Sequence, residues 1–261
     1  MRTIRYFSSL NEKLRIQPKE SDTRMSDLST TYRDLDAHDY LDTHVQDEHH
    51  ALMMNHLLRD VFGVCENERV LEVGAGSGRY TELLLERGYQ VIATEPDPVM
   101  YNRLIERLPD CSALTPQCAG VEELVEQYSD VSLLCGFHVL HHLDEKSLDH
   151  LRSAIEGIAA ANESFRGWFF LEPNPLNPMY PVQIALTSGM SFSEESKMWR
   201  PGMRNRLAPE ENGKVRMGNI GLFPPRKSLE SIPSWLVKRG TAMGRARLPW
   251  SAYTVYGGKY G

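Results

Sequence analysis

The 261-residue sequence contains no apolar run near the roughly 20 residues that a helix needs to cross a bilayer. No membrane span is therefore expected. Its first stretch, Met1 to Gln17, is charged throughout and has no apolar core of the kind a secretory signal carries. Cysteine is scarce: Cys65, Cys111, Cys118 and Cys135 form neither a C-x-x-C pair nor a spacing shared with histidine. That absence opposes a zinc ribbon or a disulfide scaffold and fits free thiols in a reducing compartment, so a cytoplasmic location is expected. Positive charge is not in excess either. Lys and Arg number 29 against 35 Asp and Glu, a net charge of −6, which argues against a protein built around a nucleic-acid backbone.

A further absence sits inside the most informative segment. Val70-Leu71-Glu72-Val73-Gly74-Ala75-Gly76-Ser77-Gly78 reads as a buried strand running into a glycine turn and a helix, and Val91-Ile92-Ala93-Thr94-Glu95 as a second strand ending in an acid. A dinucleotide site asks for G-x-G-x-x-G, whose last glycine lets the helix pack close under a pyrophosphate. Here the pattern is G-x-G-x-G, with Arg79 at the missing glycine's position. The loop suits a ligand with adenosine but no pyrophosphate. Glu95, ending the second strand, is placed to accept hydrogen bonds from both ribose hydroxyls, although an acid at a loop edge is also commonly just solvated.

Strands and helices alternate beyond this point. Strands are expected at Arg69–Val73, Gln90–Thr94, Ala113–Cys118, Val131–Cys135 and Gly167–Leu171. Helices are expected at Arg79–Arg87, Pro98–Arg107, Val121–Tyr128 and Ser147–Ala161. Such alternation implies a parallel sheet with right-handed crossovers. Before it, Asp47 to Phe62 carries apolar residues at helical spacing, and residues 1 to about 35 show no period. After it, the prolines of 173–178 break regular structure, and a long excursion over 173–214 follows, with a helix expected near Tyr180–Leu186. Lys214–Phe223 and Ala252–Lys259 read as two last strands around a helical Leu229–Arg239.

The glycine segment resembles motif I of the class I S-adenosylmethionine-dependent methyltransferases. Gly136-Phe137-His138-Val139-Leu140-His141-His142-Leu143 resembles the VLHHL stretch frequent in members acting on small molecules. The resemblance covers residues 70–175 and implies a Rossmann-like, doubly wound sheet of about seven strands, mostly parallel with an antiparallel last strand. An N-terminal helical lid is expected over residues 1–62, and a methyltransferase domain over 63–261 with 173–214 as its acceptor-pocket insertion.

S-adenosylmethionine is the cofactor implied. Its methionyl tail would lie on Gly74, Ala75, Gly76 and Gly78, its amino group near Glu72, and its ribose on Glu95 with Pro96 adjacent. Family members often hold adenine with an acid after strand three. Here Gly120 falls in that place, which leaves backbone around Gly120 and Val121 for the task. Gly136, Phe137 and His138 would flank the methionyl part.

Methyl transfer to a hydroxyl or an acidic carbon needs a base near neutral pH, and the resemblance points to His141, oriented by Glu172. Both have plain alternatives: His141 as a histidine bonded within a loop, Glu172 as a cap on the proline turn. O-methylation of a small-molecule acceptor is the leading expectation. C- or N-methylation of a natural-product-like acceptor, a nicotinamide-dependent oxidoreductase and a catalytically silent subunit are the alternatives.

The oxidoreductase is opposed by the missing glycine and by the lack of a Tyr-x-x-x-Lys relay. Nucleic-acid methylation is opposed by the lack of an N-P-P-Y-type motif after strand four. No metal site is expected, because His38, His44, His49, His50 and His56 include no i, i+4 pair on a helix. Met179, Tyr180, Met190, Phe192, Met198, Trp199 and Met203 give the excursion a soft apolar character. It suits either a pocket wall, a satellite core or the contact of a homodimer. Arg200, Arg204 and Arg206 suit either an anionic acceptor or plain surface charge.

Overall fold

The five central strands bury both faces, and their side chains divide between two cores with a period of two. On β5 (Gly167–Pro173), Trp168 and Phe170 face one core while Phe169 and Leu171 face the other. On β4 (Leu133–Phe137), Leu134 faces the first of these and Leu133 and Cys135 the second. The structure, a computed structural model, describes residues 53–124, 128, 130–174, 176–178, 180–186, 191–207, 216–220 and 251–260.

In chain order the elements are β1 (Arg69–Val73), α1 (Arg79–Glu86), β2 (Gln90–Thr94), α2 (Pro98–Arg107), β3 (Leu114–Gln117), β4, α3 (Glu145–Ala161) and β5. These are followed by α4 (Tyr180–Leu186), α5 (Phe192–Glu195), α6 (Pro201–Asn205), β6 (Arg216–Ile220) and β7 (Tyr253–Lys259). The seven strands form one sheet in the order β3-β2-β1-β4-β5-β7-β6. β7 pairs antiparallel with both β5 and β6, and the remaining pairs are parallel. The chain order reverses between β1 and β4, which places the switch point at the carboxyl ends of those two strands.

Several helix starts are set by local chemistry. Asp97 accepts the backbone N–H of Val99 at 2.8 Å, and Pro98 occupies the first turn of α2, where its missing donor costs nothing. Asp144 does the same for α3 through Ser147 N at 2.8 Å.

Four expectations change. The fourth strand lies two residues further on than Val131–Cys135, because Val131 and Ser132 are buried before strand pairing with β1 begins at Leu133. Among the described residues of Val121–Tyr128, Val121–Glu123 form one helical turn that stops at an extended Leu124, and Tyr128 lies in a further turn. Val121, Leu124 and Tyr128 all enter the same core.

β5 runs on through Glu172 and Pro173, since Pro173 pairs with Tyr253 of β7 at the end of the ladder. Finally, the described part of the N-terminal helix is no lid. His56–Val61 is a π-helical turn, and Met53, Met54, Leu57 and Leu58 are built into the core beside β5, with Phe62 stacked on Phe169 at 5.5 Å. The rest of the expected lid and the expected helix at Leu229–Arg239 lie outside the described residues.

Candidate active site

The glycine turn after β1 is held against β2: Gly74 and Ala75 both donate backbone N–H to Thr94 O at 2.9 Å. Gly74, Gly76 and Gly78 all stand at positive φ, where a side chain is strained. They differ in what surrounds them. A Cβ on Gly74 would come within 2.5 Å of Val139 Cγ2, so packing alone demands glycine there. At Gly76 a Cβ would meet only Met100 Cε, at 3.8 Å. The described residues leave open the space above Gly76, and that is the ground a ligand lying on the loop would use.

Glu95 ties this loop to the next one. Its Oε2 accepts Gly76 N–H at 2.8 Å and its Oε1 accepts Asp97 N–H at 2.9 Å, while the carboxyl is buried. Burial pushes its pKa up to about 7 despite those two donors. Glu72 is buried more deeply, beneath the loop, where the Thr81 hydroxyl of α1 donates to it at 2.6 Å. Burial raises its pKa to about 8, with Thr81 opposing and the charge of Glu95 adding. Gly120 comes to the same place from β3, since a Cβ there would lie 3.8 Å from Pro96 Cβ. Val121 is buried beside it. Glu72, Gly76, Glu95, Pro96 and Gly120 thus converge at the β1–β2–β3 edge of the switch point.

Gly136, Phe137 and His138 are placed differently from one another. A Cβ on Gly136 would come within 2.5 Å of Phe170 Cε1, so its lack of a side chain answers to core packing rather than to a ligand. The Phe137 ring stacks on Tyr80 at 4.2 Å and meets Phe169 edge-on, a core position. His138 stands at φ +56, a left-handed conformation rare outside glycine, with its Nε2 3.2 Å from the Tyr80 hydroxyl. Of the three residues expected to flank the methionyl part, His138 is the one with a left-handed backbone.

The other half of the site lies at the end of β5. Glu172 Oε1 accepts the backbone N–H groups of Val139 and Leu140 at 2.9 and 2.8 Å, and its Oε2 lies 2.6 Å from His141 Nδ1. Both side chains are 3% exposed. The cap role once open to Glu172 is thus real, but its turn is Val139–Leu140 and not the proline segment, which is bound through Asn174 Nδ2 to Ser251 O at 2.7 Å.

Burial opposes charge on His141, yet Glu172 and then Glu195 outweigh it and raise its pKa. Burial works against the Glu172 carboxylate too, but the His141 ring and its hydrogen bond win and lower that pKa. His142, 4.0 Å away ring to ring, is held well below its ordinary value by burial and by His141.

The sequence did not single out Glu195. Its Oε2 lies 3.5 Å from His141 Nε2 and accepts the Tyr180 hydroxyl proton. Thr81 and Tyr80 were missed as well, although both lie in the first turn of α1, where side chains face back over the strand end. Of the soft residues in the excursion, Met198 and Met203 belong to the core against Trp168 and Tyr256, as a satellite core would. Met179 and Met190 lie outside the described residues. Arg206 is committed to Glu145 and Asp149 of α3, the latter at 2.6 Å, so it is surface charge rather than an anion ligand. His56 pairs with Asp60 of its own helical turn at 2.8 Å.

The model of the methyltransferase-domain family matches residues 70–160, which hold the glycine loop, Glu95 and His141. The uncharacterized methyltransferase Rv3342 of Mycobacterium tuberculosis is 48% identical over 46 residues, 18% of this chain and 19% of that protein. The matched segment therefore spans about a fifth of the curated relative's length. Among solved structures, the methyltransferase domain of bacterial CtHen1-C is similar with a TM-score of 0.51 at 15% identity, covering 81% of this chain and 97% of that one. A second structure from the same source, CtHen1-CN, is similar with a TM-score of 0.50 at 15% identity. These likenesses fix the fold.

Proposed function

From the match of residues 70–160 to the methyltransferase-domain family, we propose that the chain is a class I enzyme that transfers a methyl group from S-adenosylmethionine to an oxygen of a small organic acceptor. The observation that carries this reading is the His141–Glu172 pair at the switch point, buried at 2.6 Å beside the glycine loop. The residues present fit the cofactor. Gly76 leaves room that the described residues do not fill, and burial of Glu95 and Glu72 stays costly despite the donors each already has. In this reading Glu95 takes the ribose hydroxyls, Gly74 to Gly78 the methionyl tail, Glu72 its ammonium through the loop, and backbone at Gly120 and Val121 the adenine.

The sulfonium cofactor supplies an electrophilic methyl group, whose bond to sulfur breaks with the electron pair staying on sulfur. The chain's own work is alignment, exclusion of water and management of one proton. Glu172 fixes the His141 ring through Nδ1 and leaves Nε2 as the nitrogen that meets the acceptor. His141 takes the acceptor's proton at Nε2 as the oxygen–carbon bond forms, and Glu172 stabilises the resulting imidazolium. The acceptor lies under the 173–214 excursion, which includes Tyr180 and α5. Cytoplasmic location and a chain working without nucleic acid accompany the reading.

The test is calorimetric titration of the purified protein with S-adenosylhomocysteine and with NAD. Micromolar affinity for the first and none for the second is expected. A folded protein that binds NAD, or binds neither, overturns the reading.

A further inference from the structure

Glu195 carries no distinction in the sequence, where it ends the Ser193-Glu194-Glu195 run of a four-residue helix. Its surroundings are unlike those of a surface acid. The side chain is 10% exposed, and its Oε2 accepts the Tyr180 hydroxyl and stands 3.5 Å from His141 Nε2, a charge contact rather than a hydrogen bond. Since Glu172 holds Nδ1 at 2.6 Å, His141 faces a carboxylate at each ring nitrogen. An imidazolium is the ring state that both carboxylates attract.

The geometry points to Glu195 as the occupant of the acceptor's seat: its carboxylate stands where the acceptor's reacting oxygen binds His141 Nε2, so the acceptor is a molecule with an ionisable oxygen, a phenol, enol or carboxylic acid, and it binds by displacing Glu195. This rests on the methyl-transfer reading of the His141–Glu172 pair. Three features support it. The Tyr180 hydroxyl donating to that atom, with an imidazolium facing it, favours an anionic oxygen there and opposes an ammonium group, which brings only donors and positive charge of its own.

The protonation state also matches. Imidazolium beside a carboxylate oxygen is the arrangement formed when a neutral His141 takes a proton from an acidic hydroxyl, with the same donors satisfied. The two carboxylates are, moreover, mounted differently. Glu172 sits on β5 with two backbone N–H groups on its other oxygen, whereas Glu195 rides on a short helix outside the sheet with a longer contact. The replaceable partner is Glu195.

Displacement moves one proton. As Glu195 leaves, His141 releases its Nε2 proton to water and is left neutral to accept the acceptor's proton. The charged and titratable groups facing this ring are Glu172 from β5, Glu195 from α5, Lys197 from the turn after it, and His142 alongside.

The experiment is carbethoxylation by diethyl pyrocarbonate, which reacts at an open, neutral imidazole nitrogen, with His141 followed by peptide mass spectrometry in native protein, Glu195→Ala and Glu195→Gln. Losing the Glu195 anion lowers the His141 pKa and opens Nε2, so His141 reacts severalfold faster in the variants than in the native protein. In Glu195→Gln, benzoate protects His141 and benzylamine does not. Circular dichroism shows which variants are folded, and the isosteric Gln variant serves if the Ala variant is not.

Equal His141 reactivity in native and variant proteins overturns the seat. Protection by benzylamine, or by neither compound, overturns the acceptor class. S-adenosylhomocysteine titration of the same native sample separates the premises, because loss of that binding defeats the methyl-transfer reading and leaves the reactivity contrast standing.

Discussion

At the scale of single residues, His141 and Glu172 make different contributions, and substitution separates them. His141→Gln removes the proton acceptor and leaves the glycine loop alone. It should keep S-adenosylhomocysteine affinity within about twofold while lowering turnover by about 10²–10⁴, the range for a general base. Turnover and calorimetry on the same preparation check this. Glu172→Ala is a folding defect first. It strips two buried backbone N–H groups and a buried imidazolium of their partner, and breaking such a pair costs about 3–5 kcal/mol.

Urea unfolding should show that loss, while Glu172→Gln, which keeps an oxygen for the Val139 and Leu140 donors, should lose less. The Gln variant should also lower the His141 pKa, read by NMR of the ring, because its largest charged support is gone. The pairing of these two residues was legible beforehand from two strand ends expected to be neighbours. The backbone bonds of Glu172 were not, since no residue pattern announces which turn a carboxylate will cap. Glu195 was invisible for a related reason: among serines and glutamates near a helix start, an acid reads as solvated, and only tertiary placement buries it.

At the scale of elements, the strands were legible where burial on both faces makes a continuous apolar run flanked by turn residues, as at Arg69–Val73 and Gln90–Thr94, found with those same limits. Errors arose where apolar residues do other work. Val121, Leu124 and Tyr128 sit at helical spacing, yet the helical turn at Val121–Glu123 stops at an extended Leu124. Pro173 looked like a breaker, but a proline lacking a donor is tolerated where a strand ends.

The glycines at the strand ends divide on the same principle, and a pair of variants tests it. Gly136→Ala drives a methyl into Phe170 and Val139 and should cost about 1–3 kcal/mol of stability in urea. Gly76→Val meets open space, so the main structural charge is its positive φ, about 1–2 kcal/mol. Its larger effect should be on S-adenosylhomocysteine, whose binding should fall below detection by calorimetry in a protein that still unfolds cooperatively.

At the scale of the whole molecule, the buried titratable groups set how stability depends on pH. Glu72 and Glu95, with pKa values pushed up to about 8 and about 7, stay protonated in the fold at pH values where an unfolded carboxyl near 4.5 has ionised. The native state then binds more protons, so both groups lower stability as pH rises from about 4.5 towards 7 and 8, each by about 1.4 kcal/mol per pH unit. His141 acts in the same direction: its raised pKa gives stability that is present below its unfolded value and lost as pH rises through its folded one. Two groups act against this. Glu172, with its lowered pKa, contributes stability above its unfolded value that is lost as pH falls through its folded one. His142 is held neutral and so costs stability below about 6.5, where the unfolded ring takes a proton.

Two carboxyls outweigh one histidine between pH 5 and 6.5, and His141 adds to them above that. Stability should therefore fall from pH 5 to pH 8 in urea titrations, with Glu72→Gln flattening the slope. The cofactor reading gives this slope a use. An ammonium brought to Glu72 and hydroxyls brought to Glu95 favour the ionised carboxylates, so binding S-adenosylhomocysteine at pH 6.5 should release protons. Calorimetry at that pH in buffers of different ionisation enthalpy should report the release in native protein and less of it in Glu72→Gln. Binding with no proton release would mean that the two buried acids never meet the ligand, and that the carboxyl cost at the switch point serves the fold alone.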